Sequence, residues 1–318
     1  MTNIQEDILA ELTKVISNEE RQVLGSIFAS AKFAGVISPS QAALIARVKG
    51  LNLEETMISL LPFAKCYADP PISEYRVGVV GLGKSGALYF GFNMEFQGEE
   101  LNATVHGEQA AIINAWNHGE ENLEALALNA APCGHCRQFL YETNKGGEIK
   151  MLVTGEPSRR LDDLLPAAFG PEDLGVAAAL MVPQKHKLSR NKSNGSLNNL
   201  MEQTIETAKE SYAPYSKGYA AVGARTKTGE IYTGRYAENA AFNPSLAPLT
   251  ATLVSLRLND VPLKEIQEIL LVETPSLIKH QRQFEQLLTS VFKNVQTKIN
   301  VGFETLQDKE IPIDQMAL

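Results

Sequence analysis

Residues 106–139 read HGEQAAIINAWNHGEENLEALALNAAPCGHCRQF, which combines a helical pattern, a strand pattern and a second helical pattern. Apolar side chains recur along His106–His118 at helical spacing, and this periodicity predicts a helix. The run Leu123–Asn129 is short and largely apolar, as is typical of a buried strand. The following segment, Cys133–Thr143, predicts another helix, with Pro132 directly ahead of its first residue.

Three further strands are predicted around this pattern. Val77–Gly81 and Ala87–Asn93 are short apolar segments, and the turn sequence Gly83-Lys84-Ser85-Gly86 between them predicts a β-hairpin. Glu148–Thr154 predicts a strand after the second helix. The resulting order β-β-α-β-α-β predicts an α/β domain of three layers.

The length of 318 residues corresponds to about two domains. Near the N-terminus apolar side chains recur at helical spacing, and Ser38-Pro39-Ser40-Gln41 is typical of a helix start. We therefore predict a helical N-terminal region over 1–50, a first domain over 51–180, a polar linker over 181–200 and a second domain over 201–318.

The second domain repeats short segments of the first. The recurring segments are Tyr67-Ala68, Pro71-Ile72-Ser73 and Val77-Gly78 in the first copy, and Tyr212-Ala213, Pro214-Tyr215-Ser216 and Val222-Gly223 in the second. Two more residues separate Ser216 from Val222 than separate Ser73 from Val77. Where the first copy has His106-Gly107-Glu108, the second has Ala247-Pro248-Leu249, and it contains no cysteine. We interpret the pattern as an internal duplication whose second copy is a scaffold without metal. A later segment of that copy, Ile266–Val272, predicts a strand.

The net charge of −8 and the pI of about 5.3 disfavour a nucleic-acid partner, because such proteins usually present a basic stripe. The densest cationic stretch, Lys185–Lys192, is interpreted as part of a solvated linker. These properties favour a small-molecule substrate. The chain has no apolar run long enough to span a membrane and no signal-peptide pattern, so we expect a cytoplasmic protein without a membrane partner.

Three cysteines, Cys66, Cys133 and Cys136, do not suggest a disulfide framework. Zinc prefers tetrahedral sites of nitrogen and sulfur ligands, and two cysteines with one histidine leave the open position of a catalytic site. Cys133 and Cys136 lie three residues apart at a helix start, whose partial positive charge favours thiolates. His106, at the start of another helix, supplies the nitrogen. We predict one Zn²⁺ per chain on these three residues.

Glu108 distinguishes a catalytic zinc site from a structural one. A structural site would use a fourth protein ligand, whereas a catalytic site needs a base close to the metal to move protons. A C-x-x-C pair alone would equally fit a redox pair or half of a structural site. Cys66 is expected to be a small buried hydrophobe. His135 lies between the cysteines and could compete with them as a ligand, but its backbone direction differs from theirs, so we predict that it is not a ligand. Surface or packing roles are likewise expected for His118, His186 and His280.

The same segments resemble a known family. His106–Ile112 and Pro132–Phe139 carry the H-x-E and P-C-x-x-C pattern of zinc deaminases, and they closely resemble the cytidine deaminases of the long dimeric bacterial type. Phe90–Phe96, Ala168–Pro171 and Tyr236–Pro244 resemble that family as well. The similarity is weaker in the first and last 50 residues or so.

The resemblance implies a three-layer α/β/α cytidine-deaminase-like fold that is duplicated, with an active domain, a degenerate repeat and a small helical N-terminal region. It implies hydrolysis of cytidine and 2′-deoxycytidine to uridine and 2′-deoxyuridine with release of ammonia, as in pyrimidine salvage. Water activated by zinc would be the nucleophile, and Glu108 the proton shuttle. It also implies a homodimer whose active sites are completed across the interface.

The resemblance further assigns substrate contacts, residue by residue. Asn93 and Glu95 match the positions that bind the ribose 3′-hydroxyl, with Met94 between them. Tyr75 and Phe169 match aromatic residues near the base, and the backbone of Gly107 and of Ala131 matches contacts to the base edge.

Three of these positions depart from the family pattern: Gly107 replaces the usual Ala, Tyr75 replaces Phe, and Ala131 replaces Thr. These departures bear on efficiency and substrate preference more than on the reaction. Two alternatives remain open at this point. One is the same chemistry on another amine, such as a nucleotide, a free base or an editing substrate. The other is a zinc-stabilised interaction protein without enzymatic activity.

Overall fold

A computed structural model of the chain describes residues 3–30, 33–190, 198–293 and 299–308. The chain divides into two compact units, the first ending at Gly170 and the second beginning at Pro171, apart from two short exchanged segments. Within the described residues, no helix combines the length and the apolar character needed to cross a membrane.

The first unit opens with four helices. These are α1 (Ile4–Thr13), α2 (Asn18–Phe28), α3 (Pro39–Lys49) and α4 (Leu53–Lys65). The predicted start of α3 is confirmed: the Ser38 hydroxyl accepts from the Gln41 N–H, and the Gln41 side chain accepts from the Ser38 N–H. Leu60 and Leu61 of α4 are buried against the sheet that follows.

The sheet of the first unit has six strands and contains the predicted hairpin. The strands are β1 (Val36–Ile37), β2 (Gly78–Gly83), β3 (Leu88–Phe92), β4 (Leu123–Leu128), β5 (Lys150–Val153) and β6 (Arg159–Arg160). They lie in the order β1-β3-β2-β4-β5-β6, with β2 antiparallel to β3 and to β4, and β4 parallel to β5. The helices predicted between the strands are α5 (Gly107–Asn117) and α6 (Gly134–Tyr141), and a short helix, α7 (Leu161–Leu164), follows.

Helices cover both faces of this sheet, which confirms the three-layer prediction. A Cβ added at Gly78 would lie 2.8 Å from the carbonyl oxygen of Leu61 in α4. A Cβ added at Gly107 in α5 would lie 2.7 Å from Cγ2 of Val79. Consecutive residues of a strand point to opposite faces, so α4 and α5 form the two outer layers.

The start of helix α5 lies very close to strand β3, and this contact fixes the position of His106 and Glu108 relative to the sheet. A Cβ added at Gly91 in β3 would lie 2.1 Å from the carbonyl oxygen of Gly107 and 2.6 Å from the backbone nitrogen of Ala111. Only glycine at position 91 lets the backbone of α5 approach β3 this closely. Residues Gly107 through Trp116 are accordingly all buried.

The second unit repeats this topology. Its elements are β7 (Leu188–Arg190), α8 (Asn199–Lys209), β8 (Ala220–Thr226), β9 (Ile231–Arg235), α9 (Pro248–Leu258), β10 (Ile266–Glu273), α10 (Gln281–Phe292) and β11 (Asn300–Asp308). The strand order is β7-β11-β10-β8-β9, with β8 antiparallel to β9 and to β10, and β10 parallel to β11. The run β3-β2-β4-β5 of the first sheet is thus matched by β9-β8-β10-β11, and the predicted strand Ile266–Val272 lies within β10.

The unit boundary differs from the boundaries predicted at 180 and 201. The segment predicted as a linker over 181–200 contains β7, which pairs with β11 at the edge of the second sheet. Leu188 is buried there, and Arg190 forms an ion pair with Glu304 of β11. The cationic stretch Lys185–Lys192 was predicted to be part of a solvated linker, but its residues Leu188–Arg190 form an edge strand in which Arg190 has an acidic partner. Residues 191–197 lie outside the described part of the chain.

Candidate metal centre and active site

The three predicted metal ligands lie at the starts of two neighbouring helices. His106 precedes α5 in an extended conformation (φ −88°, ψ 155°), and Cys133 precedes α6 in a similar one (φ −71°, ψ 169°). Cys136 lies in the first turn of α6 and is buried, whereas Cys133 is exposed. Both helix starts direct partial positive charge toward this point, which favours thiolate ligands.

The donor atoms converge as a zinc site requires. The Sγ atoms of Cys133 and Cys136 are 3.4 Å apart, and Sγ of Cys133 is 3.6 Å from Nδ1 of His106. Ideal tetrahedral coordination would separate two sulfurs by about 3.8 Å and a sulfur from a nitrogen by about 3.6 Å, given zinc bond lengths of about 2.3 and 2.05 Å. The donor set therefore fits Zn²⁺. Among the described residues, these three form the one group of at least three histidine, cysteine or acidic side chains whose donor atoms all lie within 4.8 Å of one another, close enough to bind one metal ion.

The two cysteines differ in their affinity for protons when no metal is bound. The hydrogen bond with Cys136, followed by the one with His106, lowers the pKa of Cys133 to about 3. The same hydrogen bond and burial raise the pKa of Cys136. The hydrogen bond to Cys133 also raises the pKa of His106. Because zinc binds cysteine as thiolate and histidine as neutral imidazole, metal binding would release protons from this site.

Glu108 lies in the first turn of α5, two residues after His106, and its side chain is only 4% exposed. Burial raises the pKa of its carboxyl, and a hydrogen bond with Cys136 opposes that effect. A carboxyl whose pKa is raised by burial holds a proton more readily, as a group that shuttles protons must do between its two transfers. The structure therefore brings Glu108 together with the predicted ligands.

A second group of predicted residues, at the end of β3, holds a loop. Oδ1 of Asn93 accepts from the Val77 N–H at 2.9 Å, and Nδ2 donates to the carbonyl oxygen of Tyr75 at 2.9 Å. Glu95 accepts from the N–H groups of Ile72 and Ser73 and from the Ser73 hydroxyl. Burial raises the pKa of Glu95, but these hydrogen bonds outweigh it and the pKa is lowered overall. Glu95 is therefore held as a carboxylate.

Met94 connects this group to the metal ligands. Its backbone exchanges hydrogen bonds with Val105, at 3.0 and 2.9 Å, and so the chain reaches His106 directly from the end of β3. The Met94 side chain is buried. The remaining predicted contacts lie at the surface: Tyr75 is 56% exposed and Phe169 is 45% exposed, and Ala131 is exposed as well.

Two side chains beside the metal ligands were not assigned a role from sequence. Gln109 accepts from the His106 N–H through Oε1 and contacts His135 through Nε2. His135, expected not to be a ligand, lies outside the group of metal-ligand geometry and stacks on the ring of His106. Spacing offered a signal for Gln109, since a glutamine three residues after a helix-capping position commonly bonds back to that position.

The second unit preserves the frame of this site without its chemistry. Ala237 bridges Tyr212 and Leu246, as Met94 bridges Asp69 and Val105. Glu238 accepts from the N–H groups of Tyr215 and Ser216, which repeats the contacts of Glu95. By this register, Ala247-Pro248-Leu249 directly follow the bridge where His106-Gly107-Glu108 stand in the first unit. The replacement predicted from the sequence is therefore supported by the pairing of the flanking residues.

Glycine is expected to be required at position 107 because of the side chains that pack against it. The added Cβ of Gly107→Ala would lie 2.7 Å from Val79 Cγ2 and 3.0 Å from Val77 Cγ1. Overpacking of this kind typically costs about 1–3 kcal/mol. We therefore expect denaturant unfolding of the metal-free variant to show a free energy of unfolding that is lower than the wild-type value by an amount in that range. Gly134→Ala, where a Cβ meets nothing within 4 Å, is the matched control and should be neutral. If the clash with Val79 is the cause, the double variant Gly107→Ala/Val79→Ala should lose less stability than the sum of the two single variants. Additive losses would contradict this steric explanation.

Two family models describing the cytidine and deoxycytidylate deaminase zinc-binding region match the chain, one over residues 52–153 and the other over residues 161–285. The cytidine deaminase of Vibrio vulnificus is 41% identical over 251 residues, covering 79% of this chain and 84% of that protein. The cytidine deaminase of Shewanella sediminis is 41% identical over 266 residues, covering 84% of this chain and 87% of that protein.

Among solved structures, the cytidine deaminase of Mycobacterium tuberculosis is 32% identical and covers 36% of this chain and 96% of its own, with a TM-score of 0.34. The two family models together match well over half of the chain, and the Vibrio and Shewanella relatives are matched over most of their length. The His-Cys-Cys group fits the zinc ion that those models describe. The chain belongs to the cytidine deaminase family.

Proposed function

We propose that this protein hydrolyses cytidine and 2′-deoxycytidine to uridine and 2′-deoxyuridine, with release of ammonia. One observation carries the proposal: the buried carboxyl group of Glu108 hydrogen-bonds with Cys136, one of three side chains whose donor atoms converge as zinc ligands would, in a chain that belongs to the cytidine deaminase family. A structural zinc site would have no use for that carboxylate, whereas hydrolysis at C4 needs a group that moves protons.

Each proton movement is assigned to Glu108. When bound, Zn²⁺ supplies a nucleophile at neutral pH, because it lowers the pKa of a water molecule to about 7. Glu108 would take the proton released by the attacking water and pass it to the ring nitrogen next to C4. A second transfer through the same carboxylate would protonate the departing amine, so that one water is consumed and one ammonia is released. Burial of Glu108 excludes bulk water from competing for these protons.

The sugar would be recognised by Asn93 and Glu95. A carboxylate offers about four acceptor positions, and three hydrogen bonds occupy Glu95. Asn93 has two amide protons, one of which is donated to Tyr75. One acceptor and one donor thus remain, and a single hydroxyl, the ribose 3′-hydroxyl in our proposal, can use both. Met94 holds the segment between them in place.

The base would lie between the remaining predicted contacts. Tyr75 and Phe169 are large aromatic side chains that stay about half exposed, as expected of side chains that pack on a ligand ring. The carbonyl of Phe169 is fixed by a hydrogen bond from Nε2 of Gln138 at 2.6 Å. The backbone of Gly107 and of Ala131 would contact the base edge. Each of these assignments is part of the proposal.

The proposal is tested by following the ultraviolet absorbance of cytidine with parallel detection of ammonia. The same assay with 3′-deoxycytidine, cytosine and dCMP separates the substrate classes. We expect turnover of cytidine and 2′-deoxycytidine, and a loss of kcat/KM for 3′-deoxycytidine, because it would leave Asn93 and Glu95 unpaired. Zinc-loaded protein that turns over dCMP or cytosine in preference would redirect the proposal to another amine. Zinc binding without turnover of any of them would support a binding role.

We further propose that the protein acts as a homodimer whose active sites are completed across the interface. The support is the family, to which the chain belongs over most of its length. Sedimentation should give twice the chain mass of 34.7 kDa. A fully active species with the mass of one chain would contradict the proposal.

A further inference from the structure

A clamp of two side chains joins the starts of α5 and α6 beside the metal ligands. Gln109, which is 1% exposed, lies one turn after His106, and its Oε1 accepts from the His106 N–H at 3.1 Å. Its Nε2 lies 3.3 Å from Nε2 of His135 in the first turn of α6. The His135 ring stacks on the His106 ring, with centroids 4.9 Å apart and 21° between the planes. Gln109, His135 and His106 thus each contact the other two, and His106 is the prospective metal ligand among them.

The direction of each hydrogen bond in the clamp follows from its donors. The His106 backbone N–H can only donate, so the oxygen of the Gln109 amide faces it and the NH₂ group faces His135. Nε2 of His135 therefore accepts, and the proton of that ring lies on Nδ1.

The ring of His106 has little else to hold its plane. A histidine that binds a metal is usually oriented by a carboxylate or carbonyl oxygen that accepts from its second ring nitrogen. In the described part of the chain, the one protein atom within hydrogen-bond distance of the His106 ring is Sγ of Cys133, at 3.6 Å from Nδ1. Cys133 is itself a prospective ligand, so it does not orient the ring independently of the metal.

We propose that Gln109 and His135 are positioning residues that set the plane of the His106 imidazole for zinc binding. In other metal sites the ligand histidine is oriented by a hydrogen-bond acceptor on its second ring nitrogen, and here the clamp would have that function. Gln109 holds the backbone of His106 and the ring of His135, and the ring of His135 holds that of His106. This inference rests on the proposed function only in so far as that function requires the zinc site.

The test measures metal binding in the full chain with His135→Ala, His135→Phe and Gln109→Met. Zinc release is followed with a chromophoric chelator, and the ligand field is followed by visible absorption of the Co²⁺-substituted protein. His118→Ala is the matched control, because His118 lies at the other end of α5, where Nδ1 contacts the carbonyl oxygen of Asn114 at 2.8 Å. Thermal unfolding of the metal-free proteins identifies any variant that fails to fold.

We expect His135→Ala to release zinc about 10–100-fold faster than the wild type and to shift the Co²⁺ bands, as is typical when a residue that orients a ligand is lost. His135→Phe keeps a flat ring against His106 and should recover part of the loss. Gln109→Met should release zinc faster than His135→Phe, because it frees both the backbone and the stacked ring. His118→Ala should match the wild type.

Wild-type release rates and Co²⁺ spectra in both His135→Ala and Gln109→Met would overturn the clamp. If His135→Ala fails to fold, Gln109→Met decides: unchanged metal binding overturns the proposal, and faster release with a shifted spectrum supports it. The cytidine assay is read separately. Clamp-dependent zinc release in a wild type that does not deaminate cytidine would refute the proposed function alone, whereas active wild type with clamp-independent zinc release would refute the clamp alone.

Discussion

Glu108→Gln is expected to lose cytidine turnover by about 10⁴-fold in kcat, which is the upper end of what a positioned acid–base group contributes. Glutamine has nearly the same shape as glutamate but cannot accept the proton of the attacking water. The side chain is 4% exposed, so solvent has little access to replace it. Steady-state absorbance with cytidine measures the loss, and zinc analysis should still find about one ion per chain, since Glu108 is not a ligand in the proposed set.

A second buried carboxylate in the same unit provides the matched control for Glu108→Gln. Glu120 is 6% exposed and accepts hydrogen bonds from the hydroxyls of Ser85 and Tyr89, at the turn of the β2–β3 hairpin. Glu120→Gln changes the same chemical group and should cost stability, with kcat close to that of the wild type. A Glu108→Gln variant that keeps more than about a tenth of wild-type kcat would contradict the assignment of proton transfer to Glu108.

The elements that carry the metal site could be predicted because each has a local cause in the sequence. The hairpin follows from glycine in its turn, where Gly86 adopts φ 84°, a conformation that favours glycine. Helices α5 and α6 begin within a residue of their predicted starts, because His106 and Cys133 occupy their capping positions. Ligands at two helix starts need only those starts to converge, and the parallel pairing of β4 with β5 is part of the same β-α-β arrangement.

The loop that surrounds Glu95 could not be predicted from local patterns. Its contacts join Glu95 to Ser73, which is 22 residues earlier, and the next residue, Glu74, adopts φ 56°. A glutamate in that conformation has no sequence signature, because residues other than glycine rarely adopt it. The second unit repeats the turn with Lys217 at φ 56° and Glu238 in place of Glu95. Ser216 corresponds to Ser73, and its N–H donates to Glu238 as that of Ser73 donates to Glu95.

The clamp and the edge strand escaped prediction for related reasons. Gln109 and His135 lie 26 residues apart, and their contact depends on the packing of α5 against α6. Strand β7 is three residues long, and its pairing with β11 spans more than a hundred residues of chain. Periodicity reports which face of an element is buried, whereas contacts of this kind are fixed by tertiary packing.

The largest effect on metal binding is expected from Cys136→Ala. Cys136 is 1% exposed, and its Sγ lies 3.4 Å from Sγ of Cys133. Its replacement by alanine leaves two of the three ligands, and no other described side chain belongs to this group of possible metal ligands. Dialysed protein should fall from about one zinc per chain to nearly none, and cytidine turnover should disappear with it. Metal analysis by atomic absorption, together with the cytidine assay after dialysis against excess zinc, measures both losses.

Cys66→Ala is the control that separates loss of a ligand from loss of a thiol. Cys66 is also buried, at 3% exposure, and burial raises the pKa of its thiol to about 12, so it stays protonated and is a poor metal ligand. Its Sγ contacts the carbonyl oxygen of Pro62 within α4, away from His106 and Cys133. Cys66→Ala should keep full zinc content and turnover with a small loss of stability. Equal zinc loss in both variants would mean that thiol burial, rather than coordination by Cys136, holds the site together.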